Sequence, residues 1–357
     1  MNKKINIQKE RWEKIAGIMR EKKLEVVLVC SSLQDFGLGF SLTGLKPIFY
    51  HYLFLDKAGG KLRKGYFVPY FLVDRLGLEN KPHVETFDDK KIPEDFARFL
   101  KKFRKVGILG PAPAIHFSLT GAELVFLDEE MWPILNRKSG AEIKAVAKVA
   151  GLLDKVLNRA GKLLKPGVRL DAVSEQLDRE ILKTADSLAF PTLAESRHGN
   201  KNLLYLLGVK AKIHSRDLIY INAGAEMNGV FADAGRSYFL NNEALKRDYA
   251  RFEQAFDSFV AAIKPGMKLC ELPLLLKKQL KEQGLAGLTF DEKYIGHSVG
   301  FNIINMPYIG REIFTSETVQ ADTTLSLVIQ AKWKGQQFQL QDTVWIGEEN
   351  NKILTRL

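Results

Sequence analysis

Two polar residues emerge from strand-like runs that are otherwise apolar and aromatic. Asn222 ends DLIYIN (217–222), and Asp233 lies inside VFADAGRSYFL (230–240). His297 sits in the glycine-flanked run GHSVG (296–300), with Ile304 seven residues further on. Gln330 lies in LSLVIQAKW (325–333). The alternation of QFQLQDTVWI (337–346) puts Gln339, Gln341 and Thr343 on the face opposite Phe338 and Leu340. A carboxylate and an imidazole brought together can move a proton, the carboxylate orienting the imidazole or a substrate. Side-chain amides add hydrogen bonds without adding charge. Each residue also has a plainer reading. A single histidine beside glycines can be structural, Asp233 can pair locally with Arg236, and Glu226 in GAEMNG (224–229) reads as a solvated turn residue.

Positioning such side chains falls to a two-part α/β chain. Trp12, Ile15, Ile18 and Met19 share one helical face within residues 11–23, and LEVVLVC (24–30) follows as a compact apolar run suited to a buried strand. YHYLFLD (50–56), GYFVPYFLV (65–73) and KVGILG (105–110) predict further strands, so helices alternate with apolar strands in a layered arrangement. NRKSG (136–140) marks a break, predicting domains at 1–135 and 136–357. Beyond it, residues 141–167 predict one long amphipathic helix stopped by Pro166 and Gly167. Residues 217–240 predict one hairpin, turning through GAEMNG, and residues 325–346 a second.

LLKPGVRLDAVSEQLDREI (163–181) and AIKPGMKLCELPLLLKKQL (262–280) align without gaps at a spacing of 99 residues. Each reads as a helix end, a Lys-Pro-Gly stop and a second amphipathic helix. Either Lys-Pro-Gly is ordinary helix punctuation, or a half-domain is duplicated about an approximate twofold, which leaves a cleft for a site between its halves.

The 357 residues are 46% hydrophobic and 27% charged, which suffices for two buried cores and excludes wholesale disorder. Lys and Arg number 53 against 42 Asp and Glu, and the resulting +11 permits nucleic acid, anionic lipid or an acidic partner without selecting one. Cys30 and Cys270 are the only cysteines and lie far apart, which excludes a disulfide scaffold or a Cys-based zinc site. The charged N-terminus lacks a signal-peptide core, and no run of 18 apolar residues occurs. The expectation is a cytoplasmic protein with no membrane partner. KAGGKLRK (57–64), KKFRK (101–105) and KAKIHSR (210–216) read as exposed faces or, alternatively, as a binding surface.

The run NAGAEMNGVFADAGRS (222–237) resembles the D-x-G…D-x-x-R-[TS] signature of the creatinase, prolidase and methionine aminopeptidase family. GHSVG resembles that family's G-H-G-[IV]-G, and QDTV (341–344) its E-D-T-V. FSLTG (40–44) and RKSGAEI (137–143) are similar to its prolidase and aminopeptidase-P branch. The resemblance spans almost the whole chain, with 11 residues from Asn222 to Asp233, 64 to His297, 33 to Gln330 and 11 to Gln341. It implies the fold class α/β (α+β). A creatinase-like α/β domain would precede a pita-bread domain, a curved antiparallel sheet covered by helices with a pseudo-twofold repeat. It also implies a homodimer.

Active members of that family hold two divalent metals through Asp, Asp, His, Glu and Glu. Carried over position by position, these ligands fall on Asn222, Asp233, His297, Gln330 and Gln341, so amides stand for three carboxylates. A further family histidine falls on Ile304 and the following glutamate on Asn305. The upstream substrate histidine has no clear match around LLYLLG (203–208), although His198 and His214 lie nearby. Two divalent ions about 3.5–4 Å apart repel each other by roughly 17–19 kcal/mol at an effective dielectric constant near 20. One carboxylate cannot offset that.

The expectation is therefore no resident cofactor, with a weakly held single divalent ion at Asp233, His297 and an amide oxygen as the alternative. Function is expected to be that of a non-peptidase relative, its pocket open to a peptide-like or small-molecule ligand. One alternative is a metal-independent or mononuclear C–N hydrolase working through His297 and Asp233. Another is a nucleic-acid- or protein-binding module.

Overall fold

The structure, a computed structural model, describes residues 7–31, 37–43, 50–58, 61–110, 112–198, 201–204 and 211–356. The chain divides into two compact units, Met1–Leu135 and Asn136–Leu357.

In the first unit the elements run α1 (Ile7–Glu21), β1 (Val26–Ser31), α2 (Gly37–Thr43), β2 (His51–Ala58), β3 (Lys61–Pro69), β4 (Val84–Phe87), α3 (Ile92–Leu100), β5 (Lys105–Leu109), β6 (Glu123–Phe126) and α4 (Asp128–Asn136). The six strands form one mixed sheet in the order β4-β3-β2-β1-β5-β6. Every residue of β1 is buried, as its unbroken apolar run requires. Phe54, Phe67, Phe96 and Phe99 join Val26, Leu28, Val106 and Ile108 in the core. The strand expected over 65–73 starts earlier and ends at Pro69, followed by a 3-10 turn at Tyr70–Leu72. Proline has no N–H to continue a ladder.

In the second unit the elements run α5 (Gly140–Leu163), α6 (Leu170–Leu182), β7 (Ser187–His198), β8 (Lys201–Leu204), β9 (Leu218–Met227), β10 (Val230–Phe239), α7 (Glu243–Ala262), α8 (Leu272–Glu282), β11 (Thr289–Phe290), β12 (Gly296–Ser298), β13 (Asn305–Ile309), β14 (Thr323–Trp333), β15 (Gln336–Ile346) and β16 (Asn351–Ile353). Helix α5 opens with a capping box: Ser139 accepts from the Glu142 N–H while Glu142 accepts from the Ser139 N–H. The sheet runs β13-β12-β14-β15-β10-β9-β7-β8, with β11 on β14 and β16 on β15. Phe252, Phe256, Phe259 and Leu276 from α7 and α8 pack with Leu327, Ile329, Phe338 and Leu340 of the sheet. Among the described residues no helix is long and apolar enough to cross a membrane.

The 99-residue echo recurs in the backbone. Gly167 and Gly266 take φ of +87° and +88°. The Gly167 N–H donates to Ile213 O, the Ile213 N–H to Val168 O, and the Leu170 N–H to Ala211 O. The second copy repeats all three bonds, from Gly266 to Val319, from Val319 to Met267 and from Leu269 to Glu317. Lys-Pro-Gly thus turns each helix pair onto an equivalent extended segment. The first helix ends at Leu163, short of the expected 167, because the glycine's left-handed turn follows.

Candidate functional site

Both central hairpins turn on two residues. Asn228–Gly229 and Lys334–Gly335 all take positive φ, the arrangement that matches strand twist. GAEMNG is therefore mostly strand, since β9 continues to Met227. These turns fix the registers Asn222 opposite Gly235 and Ser326 opposite Thr343. The hairpins join where Gly235 of β10 faces Gln341 of β15. His297 on β12 lies opposite Ser326. Directly opposed residues share a face, so these pairings put Asn222, Asp233, His297, Ser326, Gln341 and Thr343 on one side of the sheet.

Two glycines make room for this. A Cβ on Gly296 would lie 2.4 Å from the Ser326 carbonyl oxygen, so β12 could not approach β14. A Cβ on Gly235 would lie 2.2 Å from the Tyr220 hydroxyl, which crosses that space to donate to Gln341 Oε1 at 3.4 Å.

Gln341 is the hub. Its Nε2 donates to Asp233 Oδ2 at 2.6 Å and to Ser326 Oγ at 2.9 Å, and its Oε1 accepts from Asn222 Nδ2 at 2.9 Å. One neutral side chain thereby ties β9, β10, β14 and β15 together. Thr343 Oγ1 donates to the Asp233 carbonyl at 2.9 Å, and Asp233, His297 and Gln341 are all buried. His297 Nδ1 lies 3.0 Å from the Ser298 carbonyl. A carbonyl only accepts, so Nδ1 carries a proton and Nε2 is turned toward Asp233 Oδ2, 3.9 Å away. Burial pushes the Asp233 carboxyl above its usual range, against the pull of His297 and of hydrogen bonds from Ser326, Thr343 and Gln341. The Asn222 side-chain oxygen is buried with no hydrogen-bond partner among the described residues. The cluster therefore offers one free acceptor, a carboxyl inclined to hold a proton, and an imidazole beside it.

Two expected site residues lie elsewhere. Gln330 is exposed and faces Gln339 near the hairpin end, four residues and roughly 13 Å along β14 from Ser326. The position facing His297 is Ser326, not Gln330. The signal was in the sequence, because a two-residue turn at Lys334–Gly335 pairs Thr343 with Ser326. Ile304 is 52% exposed.

Two plainer readings also change. Arg236 pairs with Asp342 rather than with Asp233, through Nη2 to Oδ1 at 2.5 Å. Glu226 is buried, accepting from the Gly229 N–H at 2.6 Å and from Ser187 Oγ at 3.0 Å. His214 is exposed. The His198 side chain, Gly44 of FSLTG, residues 205–208 of LLYLLG, Gly59 and Gly60 of KAGGKLRK, and Lys210 lie outside the described residues.

Residues 144–348, which contain the whole cluster, match the sequence model of metallopeptidase family M24. The chain belongs to that family. A Xaa-Pro dipeptidase of Pyrococcus furiosus is 25% identical to it over 361 residues, 98% of each chain. In fold this M24 chain is similar to the prolidase from Pyrococcus horikoshii, with a TM-score of 0.79 and 22% identity over 97% of this chain and 98% of that one. It is equally similar to a Xaa-Pro dipeptidase from Bacillus anthracis, with a TM-score of 0.79 and 18% identity over 98% of each chain. The two-sheet α/β architecture with a C-terminal pita-bread domain is thus the prolidase fold. Among the described residues of this M24 member, no three His, Cys, Asp or Glu side chains form a metal-ligand group.

Proposed function

We propose that this M24 member is a non-peptidase relative whose former metal site works as a neutral polar pocket for a peptide-like or small-molecule ligand. The observation that carries this is Gln341 turning its amide N–H groups toward Asp233 and Ser326. To offer Oε1 to a metal on that side, the amide must flip, which breaks both bonds and the one from Asn222. Among the described residues of the cluster, Asp233 and His297 then remain as the only charged or imidazole donors, too few to offset two divalent ions. The residues present do not fit the dinuclear group. The alternative is a single, weakly held divalent ion at Asp233, His297 and an amide oxygen.

Its likeness to a Xaa-Pro dipeptidase makes Xaa-Pro dipeptides the first ligands to try. Metal analysis of the purified chain is expected to find no stoichiometric divalent metal, and calorimetry is expected to detect dipeptide binding without hydrolysis. Two tightly held ions per chain, with dipeptide turnover, overturn the proposal.

One observation favours a second reading, metal-independent C–N hydrolysis. His297 Nε2 lies 3.9 Å from the buried Asp233 carboxyl, which burial shifts above its usual range, and such a pair can exchange a proton with a substrate. Turnover that persists in chelator, and is lost in His297→Ala with folding intact, establishes it. Absence of turnover across Xaa-Pro and guanidino substrates removes it.

A further inference from the structure

Two of the basic stretches meet at one cavity of the first unit. Lys57 and Arg63 come from KAGGKLRK, Lys102 from KKFRK, and Arg20 and Lys23 from the end of α1, around a space of about 630 Å³. Two carboxylates share the wall, and both are engaged. Asp56 is held by Arg63, whose Nε donates at 2.9 Å, in an ion pair set by their cross-strand pairing. Glu25 accepts from the Arg104 N–H at 2.7 Å.

Arg20, Lys23, Lys57 and Lys102 are exposed and pair with no carboxylate among the described residues. Lys102 lies over the Phe99 and Phe103 rings, at 5.0 and 5.2 Å from their centroids. Phe103, half-buried, gives the cavity an apolar side. With Asp56 paired to Arg63, these four cations outnumber the remaining carboxylate, Glu25, so the concavity keeps an excess of positive charge that favours an anion. The volume falls within the roughly 300–1,000 Å³ of small-ligand sites.

We propose that this cavity binds a nucleotide-like ligand, a small molecule carrying two or more phosphate groups beside a ring that lies against the half-buried Phe103. Neither the M24 cluster nor its chemistry is involved, so this stands apart from the reading above. The phosphates would engage Lys57, Lys102, Arg20 and Lys23 as charge-assisted hydrogen-bond acceptors.

The test is calorimetric titration of the full chain with ADP, inorganic pyrophosphate and a single-stranded oligouridylate, at low and high salt. Saturable ADP binding that is tighter than pyrophosphate binding and weakens with salt supports the proposal. The double variant Lys57→Glu/Lys102→Glu is then expected to lose about tenfold or more in ADP affinity, while Lys148→Glu on α5 leaves it unchanged. These side chains are exposed, and an unaltered melting curve confirms the fold of each variant. No saturable ADP binding, binding that the double variant does not weaken, or equal affinity for ADP and pyrophosphate overturns the nucleotide assignment. Binding of the oligouridylate alone overturns it in favour of a nucleic-acid strand.

Discussion

Gln341 and Asp342 are chain neighbours on β15 that face opposite sides of the sheet, and each is the hub of a buried polar cluster. On one side Gln341 is surrounded by Asn222, Ser326, Tyr220 and a single carboxyl. On the other, Asp342 is fully buried and accepts from Arg236, from Arg356 Nε and Nη2 at 3.0 and 2.6 Å, and from Thr355 at 2.5 Å. A buried anion is tolerated where fixed cations and hydrogen bonds surround it. Two guanidiniums supply that for Asp342 within the chain itself. Residue 341 has no such cation beside it among the described residues, and a neutral amide stands there. The contrast is one rule applied twice: carboxylates persist where cations are built in.

The largest effect is expected from Asp342→Ala. It leaves Arg236 without its carboxylate partner and Arg356 with only Asp257, and is expected to cost about 3–5 kcal/mol. Urea denaturation measures this. A midpoint close to that of the parent would show that solvent, not Asp342, neutralises the arginines, and the contrast between the two faces would fail.

Next comes Gln341→Glu, which places a second carboxylate 2.6 Å from Asp233 Oδ2 and removes the amide N–H groups that Asp233 and Ser326 accept. The expected loss at neutral pH is about 1–3 kcal/mol. Unlike the Asp342→Ala loss, it should be relieved by Mn²⁺, because Asp233, His297 and Glu at 341 make a three-donor set. Adding Asn222→Asp and Ser326→Glu should deepen that rescue, read as a rise in melting temperature with metal concentration. A triple variant whose melting is indifferent to metal would show that these positions no longer converge as ligands.

Much of this site was legible before any coordinates. The hairpin motifs fixed Asn222, Asp233 and Gln341, since each sits on a strand whose alternation puts polar groups on one face. The glycine-flanked run fixed His297. The Lys-Pro-Gly echo was legible because a left-handed glycine after a helix leaves little choice of path. Gln330 shares chemical likeness with a carboxylate, but strand register decides which residue faces His297, and that residue is Ser326. Glu226 misled because a turn six residues long was expected where two suffice. Its partners, Ser187 and the Gly229 N–H, come from chain pairing that no local pattern reveals. Arg236 was the same kind of failure: strand alternation turns it to the face opposite Asp233, toward a residue more than a hundred positions away.

A smaller effect distinguishes the two hubs by pH. Burial raises the Asp233 carboxyl above its ordinary value of 3.8. The folded chain therefore holds that proton more tightly than the unfolded chain does. The stability gained is fully present below the unfolded value and is lost as pH rises through the folded one. Asp233→Asn cannot titrate, so its stability relative to the parent should increase as pH rises above about 4. Denaturation midpoints taken across that window check this. A difference that stays flat would mean that Asp233 ionises as readily when folded, and the amide face would then tolerate an anion without built-in cations.

The smallest expected effect is the sharpest test of register. Gln330→Glu on the exposed end of β14 should change stability by no more than about 0.5 kcal/mol and leave metal affinity untouched. Ser326→Glu, four residues away, should compete with Gln341 for the Asp233 side of the cluster and, beside Gln341→Glu, raise metal affinity. The two substitutions add the same charge to the same strand face, one at a buried position and one at an exposed one. Metal affinity is the readout that separates them by register, because Ser326 is the cross-strand neighbour of His297 and Gln330 is not. Metal affinity that rose with Gln330→Glu rather than Ser326→Glu would mean that β14 is shifted along β15. Gln341 would then lose its Ser326 partner, and the neutral hub with it.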